Sequence, residues 1–377
     1  MRITWIGPVP PQRGGIAQHG ARVVEALVDA GHEVHVEGWA APYPRWLYPG
    51  DQHDESAPGP ATGRTDHLAG ACSVRRSLRW WNPAGWWAAG RRARSSDLIV
   101  FPWWSTVQAP AMRLALGAAG SRPHVAVMVH NVVPHERHVA DLALTRTVLR
   151  RCDQAVVHTS PLATELAAVA PGVEVTITPH PPNVILTPQP LPPGPPWRLL
   201  VFGHVRDYKG LDLALDTVAE LRGRDVPVEM TVAGQFWGPL EPWQERLEVA
   251  GLGGIVSLKP GYVADADLDE LFAGHHLVLS AYRSATTSGV VPLAASAGRA
   301  SVVTPVGGLA EQVVDGIDGA VSMGTTGHDL AEAVGRALAE ITAISEGATM
   351  APTSWDRVAS AITSAVKTPS ARSQGRR

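Results

Sequence analysis

Lysine is nearly missing from this chain of 377 residues: Lys209, Lys259 and Lys367 stand against a lysine-plus-arginine total of 32. Where arginine is the default cation, each retained lysine raises a question. The two cysteines, Cys72 and Cys152, are too few for a disulfide framework and fit a reducing cytosol. No apolar run approaches the ~20 residues that span a bilayer. "MRITWIG" has neither the charged region nor the apolar core of a signal peptide and reads as a strand. The formal net charge of −3 leaves no basic excess for bulk nucleic-acid binding. These absences give the expectation of a cytoplasmic protein that binds no nucleic acid. There is no H-E-x-x-H spacing to suggest a metal pair, and no G-x-G-x-x-G to suggest a nicotinamide cofactor.

What is present is a soluble globular composition, 45% apolar and 18% charged, in a chain long enough for two domains. "RITWIG", "IAQHGARVVEALVDAG" and "HEVHVEGW" read as strand, glycine-ended helix and strand. "DLIVFPWW", "HVAVMVHN" and "QAVVHTS" continue as buried strands of a parallel α/β sheet. Residues 184–197, "VILTPQPLPPGPPW", carry too much proline for a helix or central strand and read as a linker. The pattern then restarts with "RLLVFG", "GLDLALDTVAELRGR", "VEMTVAG", "IVSLKP", "DADLDELFAG", "HLVLSAY", "VVPLAASAG", "ASVVTP" and a helix at "LAEQVV". The expected organisation is an N-terminal α/β domain over 1–183, the linker, and a C-terminal α/β domain over 198–350. A closing helix over 351–367 packs towards the N-terminal domain, and 368–377 form a disordered tail. The polar stretch 50–66 reads as a long loop.

Four stretches carry chemistry. "VFGHVRDYKG" places Arg206 and Lys209 just beyond a strand, where open α/β sheets bind ligands; they are either solvated loop cations or ligands of an anion. "YRSATTSGVVPLAASAG" puts Thr286, Thr287, Ser288 and Gly289 at a helix start, where free amides and the dipole suit a phosphate, although ordinary capping uses the same residues. "PQRGGIAQHG" has Gly14 and Gly15 at a strand-to-helix turn, a tight loop or a close approach to a ligand. "VMVHNVVPHE" ends a strand at His130 and Asn131, with His135 and Glu136 in the loop. Arg206, Lys209 and the 286–289 turn together suggest a bound diphosphate.

In this order and spacing, "GGIAQHGARVVEAL", "VHNVVPHE", "FGHVRDYKGLDLALD", "AGHHLVLSAYRSATTSGVVPLA" and "VVTPVGGLAEQVVDGIDG" resemble the family-4 retaining glycosyltransferases, over nearly the whole chain. The resemblance implies a GT-B architecture, two Rossmann-like domains facing a cleft, and hexosyl transfer from a nucleotide-diphosphate-sugar donor to a glycan, lipid-linked or small-molecule acceptor, in polysaccharide or glycolipid biosynthesis. It implies that Gly14 and Gly15 close on the donor diphosphate, that His130 lies beside the transferred sugar, and that Arg206 and Lys209 neutralise the leaving group. Thr286, Thr287, Ser288 and Gly289 would hold the donor. Asn131, His135, Glu136, Tyr282 and Glu311 are further candidates for supporting or acceptor contacts. No metal and no other cofactor is expected. The glutamate pair common in the family falls at Ala285 and Leu293, so the chain resembles a subset with hydroxyls instead. His204 holds the place of the usual arginine. A nucleotide-sugar epimerase of the same fold, or a non-catalytic binding or scaffold protein, are the rival readings.

Finally, "SVRRSLRWWNPAGWWAAGRRAR" (73–94) mixes arginines with Trp80, Trp81, Trp86 and Trp87. It is either a helix on an anionic membrane surface or one that packs its tryptophans inward.

Overall fold

A strand covered on both faces must be apolar at every position, and strand β4 (Leu98–Trp103) is buried at all six. Its odd and even residues serve different cores: Leu98 and Val100 join one apolar cluster, Ile99, Phe101 and Trp103 the other. The computed structural model describes residues 1–44, 53, 71–132, 141–349, 354–364 and 366. They fall into two units, residues 1–179 with 354–377, and residues 180–353.

The first unit is a seven-stranded parallel sheet in the order β3-β2-β1-β4-β5-β6-β7. Its strands are β1 (Arg2–Ile6), β2 (Glu33–Ala41), β3 (Cys72–Arg79), β4, β5 (His124–Val129), β6 (Gln154–Val157) and β7 (Glu174–Ile177). Helices α1 (Gly15–Asp29), α2 (Pro83–Ala93), α3 (Ala109–Ala119), α4 (Asp141–Leu149) and α5 (Ser160–Val169) make the connections. α1 buries Val23, Val24 and Leu27 against Ile3 and Trp5. It ends where Gly31 takes a φ of 82° and the His32 amide returns to the Leu27 carbonyl at 3.1 Å.

The second unit has a six-stranded parallel sheet in the order β10-β9-β8-β11-β12-β13. The strands are β8 (Trp197–Phe202), β9 (Val228–Gly234), β10 (Val256–Pro260), β11 (Leu277–Ser280), β12 (Ala300–Val303) and β13 (Gly319–Val321). Between and after them run α6 (Leu211–Gly223), α7 (Glu241–Val249), α8 (Leu268–Ala273), α9 (Val290–Ser296), α10 (Gly327–Ala339) and α11 (Ile341–Thr349). α10 starts at a reciprocal cap in which Thr326 Oγ1 accepts from the Asp329 amide and the Asp329 carboxylate accepts from the Thr326 amide. The last helix, α12 (Trp355–Ser364), inserts Val358, Ala359 and Ile362 into the core of the first unit.

Two expectations need correction. Residues 73–94 are not one helix: β3 pairs in parallel with β2, and α2 begins after Asn82, whose side chain accepts from the Gly85 amide. The Asn-Pro step is a helix start, and the residues before it alternate as a strand does. "LAEQVV" forms only a short 3-10 turn over Ala310–Gln312. The proline-rich segment, read as a linker, is packed on the second unit. Leu186 is buried in the second unit's core, and the Gln189 and Pro190 carbonyls accept from Arg299 at 2.7 and 3.0 Å. The division of the chain accordingly falls at residues 179–180 rather than 183–184. The stretch 50–66, apart from His53, and the tail 368–377 lie outside the described residues.

Arg299 is the fixing point of that segment. It is 1% exposed, and its guanidinium also donates to Phe272 O at 3.0 Å, Gly298 O at 3.1 Å and Ala273 O at 3.3 Å. Carbonyls at the carboxyl end of α8 carry partial negative charge, which suits a buried cation. Arg299→Ala should strand these acceptors and leave a cavity, destabilising the second unit by about 2–4 kcal/mol. Urea denaturation checks this; a change below ~1 kcal/mol refutes the anchoring role.

Candidate active site

In a doubly wound sheet ligands bind beyond the carboxyl ends of the strands where the winding reverses. In the second unit β8 lies between β9 and β11, so the switch point carries residues 203–210 after β8 and 281–289 after β11. These stretches hold the sequence-derived donor residues of this unit.

The chain leaves β8 through Gly203 at φ 107°, makes a single parallel bridge from Val205 to Phe236, and turns in a short 3-10 segment over Asp207–Lys209. Gly210 then takes φ 64°, and a Cβ there would lie 1.9 Å from the Ala281 carbonyl oxygen. Only glycine allows this approach, which sets Lys209 beside Tyr282. Lys209 Nζ donates to Tyr282 Oη at 2.5 Å and lies 4.0 Å from the ring centroid. Arg206 is exposed, with its guanidinium carbon 3.9 Å from the centroid of the Trp237 ring. Stacking holds the planar cation in a fixed direction at little cost in hydration.

Tyr282 is 4% exposed, and its hydroxyl meets Ser288 Oγ at 3.1 Å. Ser288 Oγ also accepts from the Val290 amide at 3.2 Å. Gln312 brackets Ser288: its Oε1 accepts from the Ser288 amide at 2.6 Å and its Nε2 donates to the Ser288 carbonyl at 2.8 Å. A cation, a phenol, a hydroxyl and a carboxamide thus form one connected chain. From the other side Gly307 packs on the loop at φ 51°, where a Cβ would come within 1.9 Å of Ala285 O. Thr304 Oγ1 donates to the Tyr282 carbonyl at 2.6 Å.

This corrects the expected phosphate cradle. The Ser288 and Val290 amides already have partners inside the protein, and α9 begins only at Val290. Thr287 Oγ1 is buried without a hydrogen-bond partner, and Gly289 is exposed. Glu311 is exposed on the 3-10 turn; its neighbour Gln312 is the residue that reaches the loop. Sequence reasoning missed Gln312, and it missed His180. The ring of His180 lies 3.9 Å from where a Gly289 Cβ would be. Burial, only partly offset by a hydrogen bond to the Pro181 carbonyl, lowers its pKa to about 4, so it is neutral at physiological pH. Of the positions of the family's glutamates, Leu293 packs in an apolar cluster with Leu268 and Phe272, and Ala285 packs beside Tyr282 and Leu309.

Burial pulls against charge at two further groups. It would push the Tyr282 phenol up, but the Lys209 charge and the hydrogen bonds from Lys209 and Ser288 outweigh it and hold the group below the usual tyrosine range. Desolvation, then the like charges of Arg206 and Lys209, hold His204 below the ordinary histidine range.

In the first unit the equivalent switch point lies between β1 and β4. Gly14 precedes α1 with φ 112°, and a Cβ at Gly14 or Gly15 would meet no atom within 4 Å. His130 follows β5, is 6% exposed, and its amide donates to the Trp103 carbonyl at 2.9 Å. Its ring centroid lies 4.6 Å from that of His19 on α1, edge to face. His19 Nε2 and His158 Nε2 are 2.9 Å apart, and His158 Nδ1 donates to the Thr178 carbonyl at 2.8 Å. That bond places a proton on His158 Nδ1. His19 lies within the "GGIAQHGARVV" stretch on α1, and no local pattern distinguishes it there. Asn131 is half-buried; His135 and Glu136 lie outside the described residues.

Residues 196–340 match the family described as "Glycosyl transferases group 1". No curated protein matches the chain. Among solved structures, it is similar to sucrose-phosphate synthase from Thermosynechococcus elongatus, with a TM-score of 0.73 and 14% identity over 97% of this chain and 98% of that one. It is similar to HepE from Anabaena in complex with UDP, with a TM-score of 0.65 and 15% identity over the whole of both chains. It is also similar to the apo form of the lipopolysaccharide outer core galactosyltransferase WaaB, with a TM-score of 0.66 and 14% identity over 97% and 100%. The fold is thus two parallel-sheet α/β domains whose structural neighbours are GT-B glycosyltransferases.

The Lys209–Tyr282 contact has a spectroscopic signature. With five tyrosines in the chain, ultraviolet titration of the folded protein should show one ionising below the rest, and Lys209→Met should abolish that step. The folded-state value lies below the unfolded value near 10, so its stabilising contribution is complete above the unfolded value and is lost as pH falls through the folded one. A single, unresolved tyrosine titration in the wild type refutes the contact.

Proposed function

We propose that this protein is a retaining glycosyltransferase, in which the second unit binds a nucleotide-diphosphate-sugar and transfers its sugar to a glycan, lipid-linked or small-molecule acceptor. The observation that carries the reading is the fixed pair of cations at the second unit's switch point, Lys209 tied to Tyr282 and Arg206 stacked on Trp237. It lies within the residues that match the glycosyltransferase family. A neighbour of the same fold holds UDP, which favours a nucleotide as the anion.

In this mechanism the bond between the anomeric carbon and the diphosphate breaks as the acceptor hydroxyl attacks on the same face. Negative charge grows on the diphosphate, and Arg206 and Lys209, already oriented, meet it without reorganisation. The departing phosphate oxygen takes the acceptor's proton. Two fixed cations meet this charge without a metal, and the proposed mechanism uses none. Thr286, Thr287 and Gly289 are assigned to the donor, with Ser288 holding their loop in shape. Gly14, Gly15 and His130 keep the roles their motifs imply: backbone approach to the donor, and stabilisation of charge on the transferred sugar.

Lys209→Ala and Arg206→Ala should each lower kcat/KM by about 10²–10³-fold, the range for removing one oriented transition-state contact. His130→Ala should lower kcat and kcat/KM alike. The product should keep the donor's anomeric configuration, read from the proton coupling constant of the new linkage. An inverted product would overturn the mechanism and make His130 the candidate base. Ala285 and Leu293, which replace the acidic pair, favour one rival, a nucleotide-binding protein without transfer activity. That reading gains if donor binds and no acceptor is glycosylated.

Among the described residues no helix is long and apolar enough to cross a membrane. We place this protein at the inner face of a membrane through the 73–94 segment. Trp80, Trp81 and Trp87 are 40%, 52% and 51% exposed, and Arg79 and Arg91 stand over the Trp81 and Trp87 rings. Such rings suit the headgroup layer and the arginines its anionic charge. Wild type should co-sediment with phosphatidylglycerol vesicles at low salt, and Arg75→Gln, Arg76→Gln and Arg79→Gln together should release it. Absence of wild-type sedimentation refutes the contact.

A further inference from the structure

Residues 304–312 leave β12, and three contacts from this stretch fall on the loop that follows β11. Thr304 Oγ1 donates to the Tyr282 carbonyl, and Gly307 packs on the Ala285 carbonyl oxygen too closely for a Cβ. Both hold the first half of the loop by its backbone. The third contact holds the second half. Gln312, at the end of the 3-10 turn Ala310–Gln312, takes the Ser288 amide on Oε1 at 2.6 Å and donates from Nε2 to the Ser288 carbonyl at 2.8 Å.

To pair the N–H and the C=O of one residue, a side chain needs a donor and an acceptor side by side. A carboxamide has this pattern at any pH; a carboxyl group has it only when protonated. The pairing also fixes which end of the amide is oxygen, since the reverse would set N–H against N–H. Ser288 is 3% exposed, so its backbone groups have little water to turn to. With that backbone held, one side-chain torsion separates it from Oγ, which lies 3.1 Å from Tyr282 Oη and accepts from the Val290 amide. Tyr282 Oη in turn accepts from Lys209 Nζ. The chain of contacts therefore runs from an amide at residue 312 to an ammonium at residue 209, and each link between them is buried.

We propose that Gln312 is a positioning residue of the second unit's site: its carboxamide pairs the Ser288 backbone as a neighbouring strand would, and through Ser288 Oγ and Tyr282 it sets the direction of the Lys209 ammonium. Without it the Ser288 backbone can turn, Oγ leaves the phenol, and the ammonium has to be ordered again when an anion arrives. The consequence for catalysis rests on the donor reading above; the positioning is tested without a donor.

Two measurements on the full chain test it. In the ultraviolet titration, the step that disappears in Tyr282→Phe should move to higher pH in Gln312→Leu, because the Ser288 hydrogen bond that helps to hold the phenol down is lost while its burial remains. In a calorimeter, Gln312→Leu should bind UDP, ADP or GDP, whichever the wild type takes, about tenfold more weakly, the scale of one oriented hydrogen bond. Gln312→Glu supplies the conservative control. Compared with wild type at the same pH, so that titration of the diphosphate cancels, it should bind as weakly as Gln312→Leu at pH 8 and recover most of the difference at pH 5, where a carboxyl group buried against a carbonyl regains its proton. An unmoved tyrosine step, unchanged affinity in Gln312→Leu, or a Gln312→Glu deficit that does not depend on pH overturns the assignment. Should Gln312→Leu fail to fold, Gln312→Glu at pH 8 and above gives the same two readouts. If the wild type binds no nucleoside diphosphate, the donor reading fails and the tyrosine step alone decides the role of Gln312; if it binds one and the step does not move, the donor reading stands and the positioning role falls.

Discussion

Gly210 and the Ala281 carbonyl touch so closely that any side chain would clash, and much of the second unit's candidate site follows from this contact. It locks the turn after β8 to the exit of β11. Lys209 is then within reach of Tyr282, and Tyr282 of Ser288. A long, flexible ammonium side chain would otherwise lose rotamer freedom on meeting a ligand. Here that freedom is already spent in the fold, against a phenol whose own burial would be costly without the charge. The chain's scarce lysine is understandable in these terms. A compact ammonium fits over a phenol edge and donates along a single line, whereas a guanidinium needs a planar partner, which Arg206 has in Trp237.

The same economy marks the loop of small residues before α9. Its hydroxyls look like free ligands, but Ser288 spends its polar groups on Gln312, Tyr282 and Val290. The loop is a supported surface rather than an open cradle. With Leu293 committed to the apolar layer, no carboxylate could occupy that position without losing burial.

How much of this could be read in advance depended on distance along the chain. Strands such as "LLVFG" and "HVAVMV" announce themselves because both faces are covered, and Gly31 and Gly210 sit where only glycine suits the backbone. The strand Cys72–Arg79 was missed because its arginines obscure a local alternation that is completed by pairing with a strand far upstream. Gln312 could not be found: it meets Ser288 across 24 residues, and a lone amide carries no pattern. Tyr282 was visible as a candidate, but its coupling to Lys209 exists only once β8 and β11 are neighbours.

The last helix carries a consequence for biosynthesis. Val358, Ala359 and Ile362 complete a core whose other members lie before residue 180. On the ribosome, the first unit must therefore wait, with that part of its core uncovered, while residues 180–353 are made, on the order of 10–35 s at ordinary elongation rates. During that interval the apolar groove beside α1 is a ready surface for a chaperone, and a nascent chain stalled before residue 354 would expose it indefinitely.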